Sequence, residues 1–201
     1  MTDLVDRLER SRVVPVVTID DADQAVPIAH ALLSGGIEAI EITLRTDAAY
    51  DAIRKVKAEV PEIALGIGTV IHVNQMDFCI EVRPDFIVTP GTTQELYEEI
   101  APTRLTLIPG VATPTEAIEA MRRGFDLVKF FPAEAAGGVP MLKGIGGPIP
   151  NLRFMPTGGI STKNAPDYLA LPNVVCVGGS WVTKNASPDA VEAAAKAASG
   201  L

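Results

Sequence analysis

Cysteine, histidine and aromatic residues are scarce in this 201-residue chain, with two Cys, two His and 5% Phe, Trp and Tyr together. Cys79 and Cys176 stand far apart in apolar surroundings, without the spacing of a zinc site, so both are expected as reduced core residues. His30 falls in a helix-like stretch and His72 follows a strand-like one. Neither joins a metal-ligand pattern, and both read as surface or capping groups. No metal and no cofactor is expected. No apolar run approaches the roughly 18 residues of a membrane span. Met1–Arg12 alternates acidic and basic residues, unlike a signal or transit peptide, so a cytoplasmic location is expected. Lys and Arg number 17 against 25 Asp and Glu, a net charge of −8. That balance lacks the basic clusters of a nucleic-acid surface and serves solubility. Neither Gly-x-Ser-x-Gly nor a Cys/His dyad is present to suggest acyl transfer.

What the chain does have is alternation. Short β-branched runs recur at Val13–Ile19, Glu38–Leu44, Ile63–Thr69, Phe86–Thr89, Leu105–Pro109, Leu127–Phe131, Arg153–Pro156 and Val174–Val177, most of them bounded by Gly or Pro. Helix-like stretches such as Asp21–Leu33, Ala48–Val60, Thr92–Ile100 and Pro114–Arg123 lie between them, with Asp20, Asp47, Thr113 or Ser161 placed to cap. Pro166 must fall early in the helix after Ser161 or break it. Eight βα units predict an α/β fold, a single (β/α)8 TIM barrel spanning 1–201, with 1–11 as an extra N-terminal helix covering its bottom. An open doubly wound sheet competes, but no GxGxxG follows the first strand.

Catalytic groups in such a barrel sit where the strands end. Those ends carry Glu41, Thr43 and Arg45; Gly66, Gly68 and Thr69; Thr89-Pro90-Gly91; Lys129; Thr157-Gly158-Gly159; and Gly178-Gly179-Ser180. Glu41, Thr43 and Arg45 alternate with Ile40, Ile42 and Leu44, so the polar set points inward. By the same parity Lys129 shares a face with Leu127 and Phe131. An isolated buried ammonium tends to lose its proton, and the free amine is a nucleophile towards carbonyls. The competing reading is a strand-end lysine that reaches water or pairs with Glu134. A carboxyl directed inward beside such an amine can relay protons; the alternative for Glu41 is a structural salt bridge.

Gly158, Gly159, Gly179 and Ser180 follow the last two strands, where barrels often hold phosphate on backbone N–H groups; singly, each pair is an ordinary tight turn. Arg45 and Thr69 suit the carboxylate of a 2-oxo acid, with Pro90, Phe131 and Thr157 as further substrate contacts, though Arg45 also fits a solvated rim charge. In an ideal strand Glu41 and Arg45 lie roughly 13 Å apart, so the strand must curl or the arginine reach back.

The runs Val13-Val14-Pro15-Val16, Glu41-Ile42-Thr43-Leu44-Arg45-Thr46, Gly66-Ile67-Gly68-Thr69-Val70, Lys129-Phe130-Phe131-Pro132-Ala133-Glu134, Pro156-Thr157-Gly158-Gly159-Ile160 and Val177-Gly178-Gly179-Ser180-Trp181 together resemble the class I KDPG/KHG aldolase family. The resemblance covers Val13 to Trp181. It implies a homotrimeric barrel cleaving 2-keto-3-deoxy-6-phosphogluconate (KDPG), with Lys129 forming the Schiff base and Glu41 moving protons. It also implies Arg45 and Thr69 on the pyruvate moiety and Gly158, Gly159, Gly179 and Ser180 on the phosphate. Ile67 stands where the family usually has alanine and is expected to narrow the cavity slightly; Thr89 replaces a common serine. The same chemistry on 4-hydroxy-2-oxoglutarate or the galactonate epimer is the nearest alternative. A ribulose-phosphate-type barrel without a Schiff base and a non-catalytic phosphosugar-binding barrel are more distant ones.

Overall fold

The computed structural model describes residues 2–184 and 187–201. Nine parallel strands form two hydrogen-bonded sheets: β1 (Val13–Val17), β2 (Ala39–Thr43), β3 (Ala64–Gly68), β4 (Phe86–Val88), β5 (Leu107–Ile108), β6 (Gly110–Val111), β7 (Leu127–Phe130), β8 (Arg153–Pro156) and β9 (Val177–Gly179). One sheet runs β5-β4-β3-β2-β1-β9 and the other β6-β7-β8. The parallel bridge Thr157↔Gly178 links the ends of β8 and β9. The α/β alternation read from the sequence holds, in a TIM-like fold of parallel strands.

Two predicted strands differ in detail. The run Leu105–Pro109 yields only β5, which pairs with β4, and a further short strand, β6, follows Pro109 and pairs with β7. Pro109 has no N–H to donate between them, though its carbonyl accepts from Lys129 N at 2.9 Å. The last strand lies at Val177–Gly179, later than Val174–Val177, and only Val174 of the earlier part makes a bridge.

Parity sorts the side chains as expected. Ile40, Ile42, Val128, Phe130 and also Ile67 join the layer between strands and helices. Ile67 therefore faces the helices, next to Ile42 in the β2–β3 register, and does not narrow the cavity; successive strand residues point to opposite faces. An inner cluster gathers Val14, Ala39, Ala64, Phe86, Ile108, Leu127 and Met155, and helix α1 (Thr2–Ser11) adds Val5 and Leu8 to it.

Capping shows what short-range pattern can miss. Thr113 forms the expected capping box with Glu116. Asp21, one residue after the predicted Asp20, caps a 3-10 turn at Ala22–Gln24, which precedes the helix Ala25–Ser34. Asp47 makes no side-chain cap bond. Ser161 is not the cap: the helix Ala165–Leu169 starts after Asn164, with Pro166 in its first turn, where a missing N–H costs nothing.

Cys79 and Cys176 are free and buried. Burial pushes the Cys79 thiol up to about 12 and raises that of Cys176 as well. Burial, then the bond to Glu134, raises Tyr168. All three are neutral when protonated, and their folded values exceed the unfolded ones. The stability they contribute is complete below the unfolded thiol value of about 8.5 and is lost as pH rises through the folded values. Urea unfolding midpoints should hold steady to about pH 8 and fall from there towards pH 11. Thiol labelling of the native protein at pH 8 should run at least about a hundredfold slower than in urea.

Candidate active site

Lys129 enters from β7 and Glu41 from β2, 88 residues apart in sequence. Lys129 Nζ donates to Glu41 Oε1 at 3.0 Å and Oε2 at 3.2 Å. Lys129 is 4% exposed and Glu41 0%. Lys129 is thus not an isolated group: its amine is held by both oxygens of the Glu41 carboxyl, in the geometry of an ion pair. Glu134 does not compete for the lysine, because its carboxylate accepts the Tyr168 hydroxyl.

Glycine makes the pair possible. Thr43 pairs with Gly68 in the β2–β3 register, and the Glu41 side chain lies over Gly68. A Cβ on Gly68 would sit 2.2 Å from Glu41 Oε1 and 2.7 Å from its Cγ. On the lysine's side, Gly110 pairs with Lys129. The Thr89 hydroxyl accepts from Gly110 N at 2.9 Å and bonds Thr92 Oγ1 at 2.7 Å. Thr89 thus does here what a serine hydroxyl would do.

A cavity of about 560 Å³ lies beside the pair, and the Phe131 ring forms part of its wall, 5.6 Å from Lys129 Nζ. Its floor is the turn after β8. Gly158 and Gly159 have φ of 103° and 78°, a left-handed pair that glycine alone adopts without strain. The carbonyls of this turn are all taken: Ala133 N donates to Thr157 O at 2.8 Å, Glu134 N to Gly158 O at 3.1 Å, and Asn164 Nδ2 to Gly159 O at 3.3 Å. The Thr157↔Gly178 bridge turns the Gly158 N–H towards Gly178, while the N–H groups of Gly159 and Ile160 donate to no protein acceptor among the described residues. Acceptors satisfied and donors open is the polarity of an anion nest. The charged residues on the cavity wall are Arg45 and Lys184, with no carboxylate among the lining side chains.

This constellation has relatives. The KDPG and KHG aldolase family matches residues 4–195. The chain belongs to that family. It is 45% identical over 188 residues to a 2-dehydro-3-deoxy-phosphogluconate aldolase of Pseudoalteromonas atlantica, covering 94% of this chain and 86% of that protein. With a KHG/KDPG aldolase of Escherichia coli it shares 46% identity over 181 residues, covering 90% and 84%. Among solved structures, a KDPG aldolase from Legionella pneumophila with pyruvate captured as a covalent carbinolamine superposes with a TM-score of 0.92 at 40% identity, covering 96% and 97%.

Of the residues singled out from sequence, Arg45, Phe131, Thr157, Gly158, Gly159, Gly179 and Ser180 line the cavity; Lys129, Glu41, Thr69 and Pro90 do not. Lys129 and Glu41 are both buried, and Lys129 Nζ lies 5.6 Å from the Phe131 ring that lines the cavity. The chain curls directly after β2, with Arg45 N donating to Thr43 O at 2.8 Å, which brings Arg45 to the cavity and answers the spacing problem. Thr69 has φ of 61°, a region where a β-branched residue is an outlier that costs about 1–3 kcal/mol. Pro90 is half-buried against Gly110, with its carbonyl oxygen 2.5 Å from where a Cβ on that glycine would stand. His30 and His72 are exposed, and no group of three or more His, Cys, Asp or Glu among the described residues is placed to hold a metal. Sequence reasoning passed over Lys184 and the steric role of Gly68. For Gly68 a signal existed, because glycine inside a strand marks close approach of another group.

A buried pair of this kind is costly to break and not needed for folding. Lys129→Met alone should lower stability by about 3–5 kcal/mol by stranding the Glu41 carboxylate, while Glu41→Leu with Lys129→Met should restore it or exceed wild type by about 1–4 kcal/mol. Urea unfolding of wild type and the two variants checks this, and equal stability of the single and double variants would refute it.

Proposed function

We propose that this chain is a class I aldolase that cleaves KDPG to pyruvate and glyceraldehyde 3-phosphate, with Lys129 as the Schiff-base lysine. The observation that carries the reading is the 3.0 Å contact of a buried amine and a buried carboxyl, near a cavity lined by Arg45, Lys184 and the Gly158-Gly159 turn. Lys129 first passes a proton to Glu41 and attacks the C2 carbonyl, giving a carbinolamine. Glu41 returns its proton to the departing hydroxyl, and loss of water leaves a protonated imine, which is an electron sink. Glu41, through a water, takes the proton of the C4 hydroxyl; the C3–C4 bond breaks and its electrons enter the imine. Glyceraldehyde 3-phosphate leaves, the enamine is protonated at C3 by Glu41, and hydrolysis frees pyruvate and the amine.

Within this reading Arg45 and Thr69 hold the carboxylate of the 2-oxo acid, with Pro90, Phe131 and Thr157 shaping the space around it. Gly158, Gly159, Gly179 and Ser180 receive the phosphate on backbone N–H groups and a hydroxyl, and Lys184 adds a second cation at that end. The strand pairings fit a single (β/α)8 barrel domain over 1–201, closed through Pro109 on one side and the Thr157↔Gly178 bridge on the other, with α1 as an added N-terminal helix. A cytoplasmic homotrimer completes the proposal. No helix among the described residues is long and apolar enough to cross a membrane, and exposed Ile71, Ile118 and Met121 offer apolar surface for subunit contact.

The second reading is 4-hydroxy-2-oxoglutarate as the main substrate, favoured by the E. coli relative named for both activities. Borohydride reduction in the presence of pyruvate should place a covalent adduct on the Lys129 peptide, and Lys129→Ala should lose both the adduct and at least about a thousandfold of kcat. An unmodified Lys129 peptide from an otherwise active sample would end the Schiff-base reading. Lys184→Met should raise KM for KDPG about three- to thirtyfold, the loss of one charge-assisted contact, and leave KM for 4-hydroxy-2-oxoglutarate within twofold. Equal changes for both compounds would remove Lys184 from the phosphate end.

A further inference from the structure

Tyr168 is a fully buried phenol with no part in the proposed chemistry, and Glu134 is the carboxylate that leaves Lys129 alone. Their bond is the point of interest. Tyr168 comes from the helix Ala165–Leu169, which follows the Gly158–Gly159 turn, and its hydroxyl donates to Glu134 Oε1. Glu134 belongs to the segment after β7, and two of its groups act on the turn while the third meets Tyr168. Its backbone N donates to Gly158 O at 3.1 Å. Its side chain packs on Gly159, with Cγ 2.7 Å and Cβ 2.8 Å from where a Cβ on that glycine would lie. Its carboxylate is fixed by Tyr168, under Gly138, whose own Cβ would stand 3.1 Å from the phenol oxygen and 3.4 Å from Glu134 Oε1.

The turn has open N–H groups only because its carbonyls are held away from the cavity. A left-handed glycine pair is soft, since glycine takes positive and negative φ about equally well. Nothing intrinsic to Gly158-Gly159 keeps the donors aimed at the cavity. We infer that the Tyr168–Glu134 pair is a positioning device for anion binding: it clamps the Gly158–Gly159 turn with its N–H groups facing the cavity, and so sets affinity for a phosphorylated substrate without touching it. The inference rests on the aldolase reading only for the identity of the phosphorylated compound.

The conservative variants separate the parts. Tyr168→Phe keeps the ring and removes the hydroxyl donor. Glu134→Gln keeps an oxygen that accepts from Tyr168, whereas Glu134→Ala removes both acceptor and packing. Two measurements are made on each full-length variant: binding of inorganic phosphate by calorimetry, and borohydride trapping of pyruvate, which carries no phosphate. Tyr168→Phe and Glu134→Ala should weaken phosphate binding about tenfold, with Glu134→Gln within about twofold of wild type and trapping rates unchanged throughout. KM for the phosphorylated substrate should rise in parallel while kcat stays within about threefold. A general loss of structure would slow trapping too, and would not be rescued by glutamine. Phosphate affinity equal across wild type, Tyr168→Phe and Glu134→Ala, or no phosphate binding by wild type, overturns the inference. Failure of wild type to trap pyruvate, with the phosphate pattern as expected, sinks the aldolase reading and leaves the positioning role standing.

Discussion

The contact between Lys129 and Glu41 constrains everything around it. Each charge has left water, at an effective cost of several kcal/mol per ion, and their attraction returns that only when geometry is good. The 3.0 and 3.2 Å contacts supply the geometry. To reach it, a carboxylate on β2 must lie flat across β3, which requires that β3 present no side chain there. Gly68 meets that requirement at a cost of roughly 0.5–1 kcal/mol relative to alanine in a strand. On the lysine's side, Thr89 fixes Gly110 beside β7. These positions trade stability for one approach between two side chains, the expected signature of a site kept for its chemistry.

Under the proposed function the turn after β8 meets the phosphate chiefly with backbone N–H groups. Backbone N–H groups offer positive potential with no mobile cation. In this chain Arg45 and Lys184 are on the cavity wall, while Glu41 bonds Lys129 alone among the described residues. Division of labour between fixed dipoles and peripheral cations keeps the central pair intact.

The parts of this arrangement legible in sequence were those set by period. Glu41 against Ile42, and Lys129 against Val128, follow from the two-residue repeat of a strand, and both sides of that repeat landed where parity sends them. The same rule, applied to Ile67, would have turned it towards the helices; comparing residue types alone pointed it at the cavity. Parity also turned Lys129 and Glu41 towards one interior, but their direct contact across 88 residues comes from the fold. Features that depend on the choice of a distant partner were less legible. Glu134, close to Lys129 in sequence, is taken by Tyr168, thirty-four positions later. The break at Pro109 was visible as a proline, but which neighbour each half would pair with was a matter of sheet geometry.

Under the proposed chemistry the pair also explains how one carboxyl serves every proton transfer of the cycle. Carbinolamine formation releases a proton from Lys129, dehydration needs a proton on the departing hydroxyl, cleavage takes one from the C4 hydroxyl, and the enamine needs one at C3. A carboxyl already hydrogen-bonded to the lysine can take and return each of them in turn. Its alternation between acid and base leaves the charge of the site unchanged over the cycle. A second, independent acid would have to be buried as well, at its own desolvation cost. One carboxyl over one glycine is the smaller structural demand, and the alternation of Glu41 with its apolar neighbours on β2 is enough to encode it.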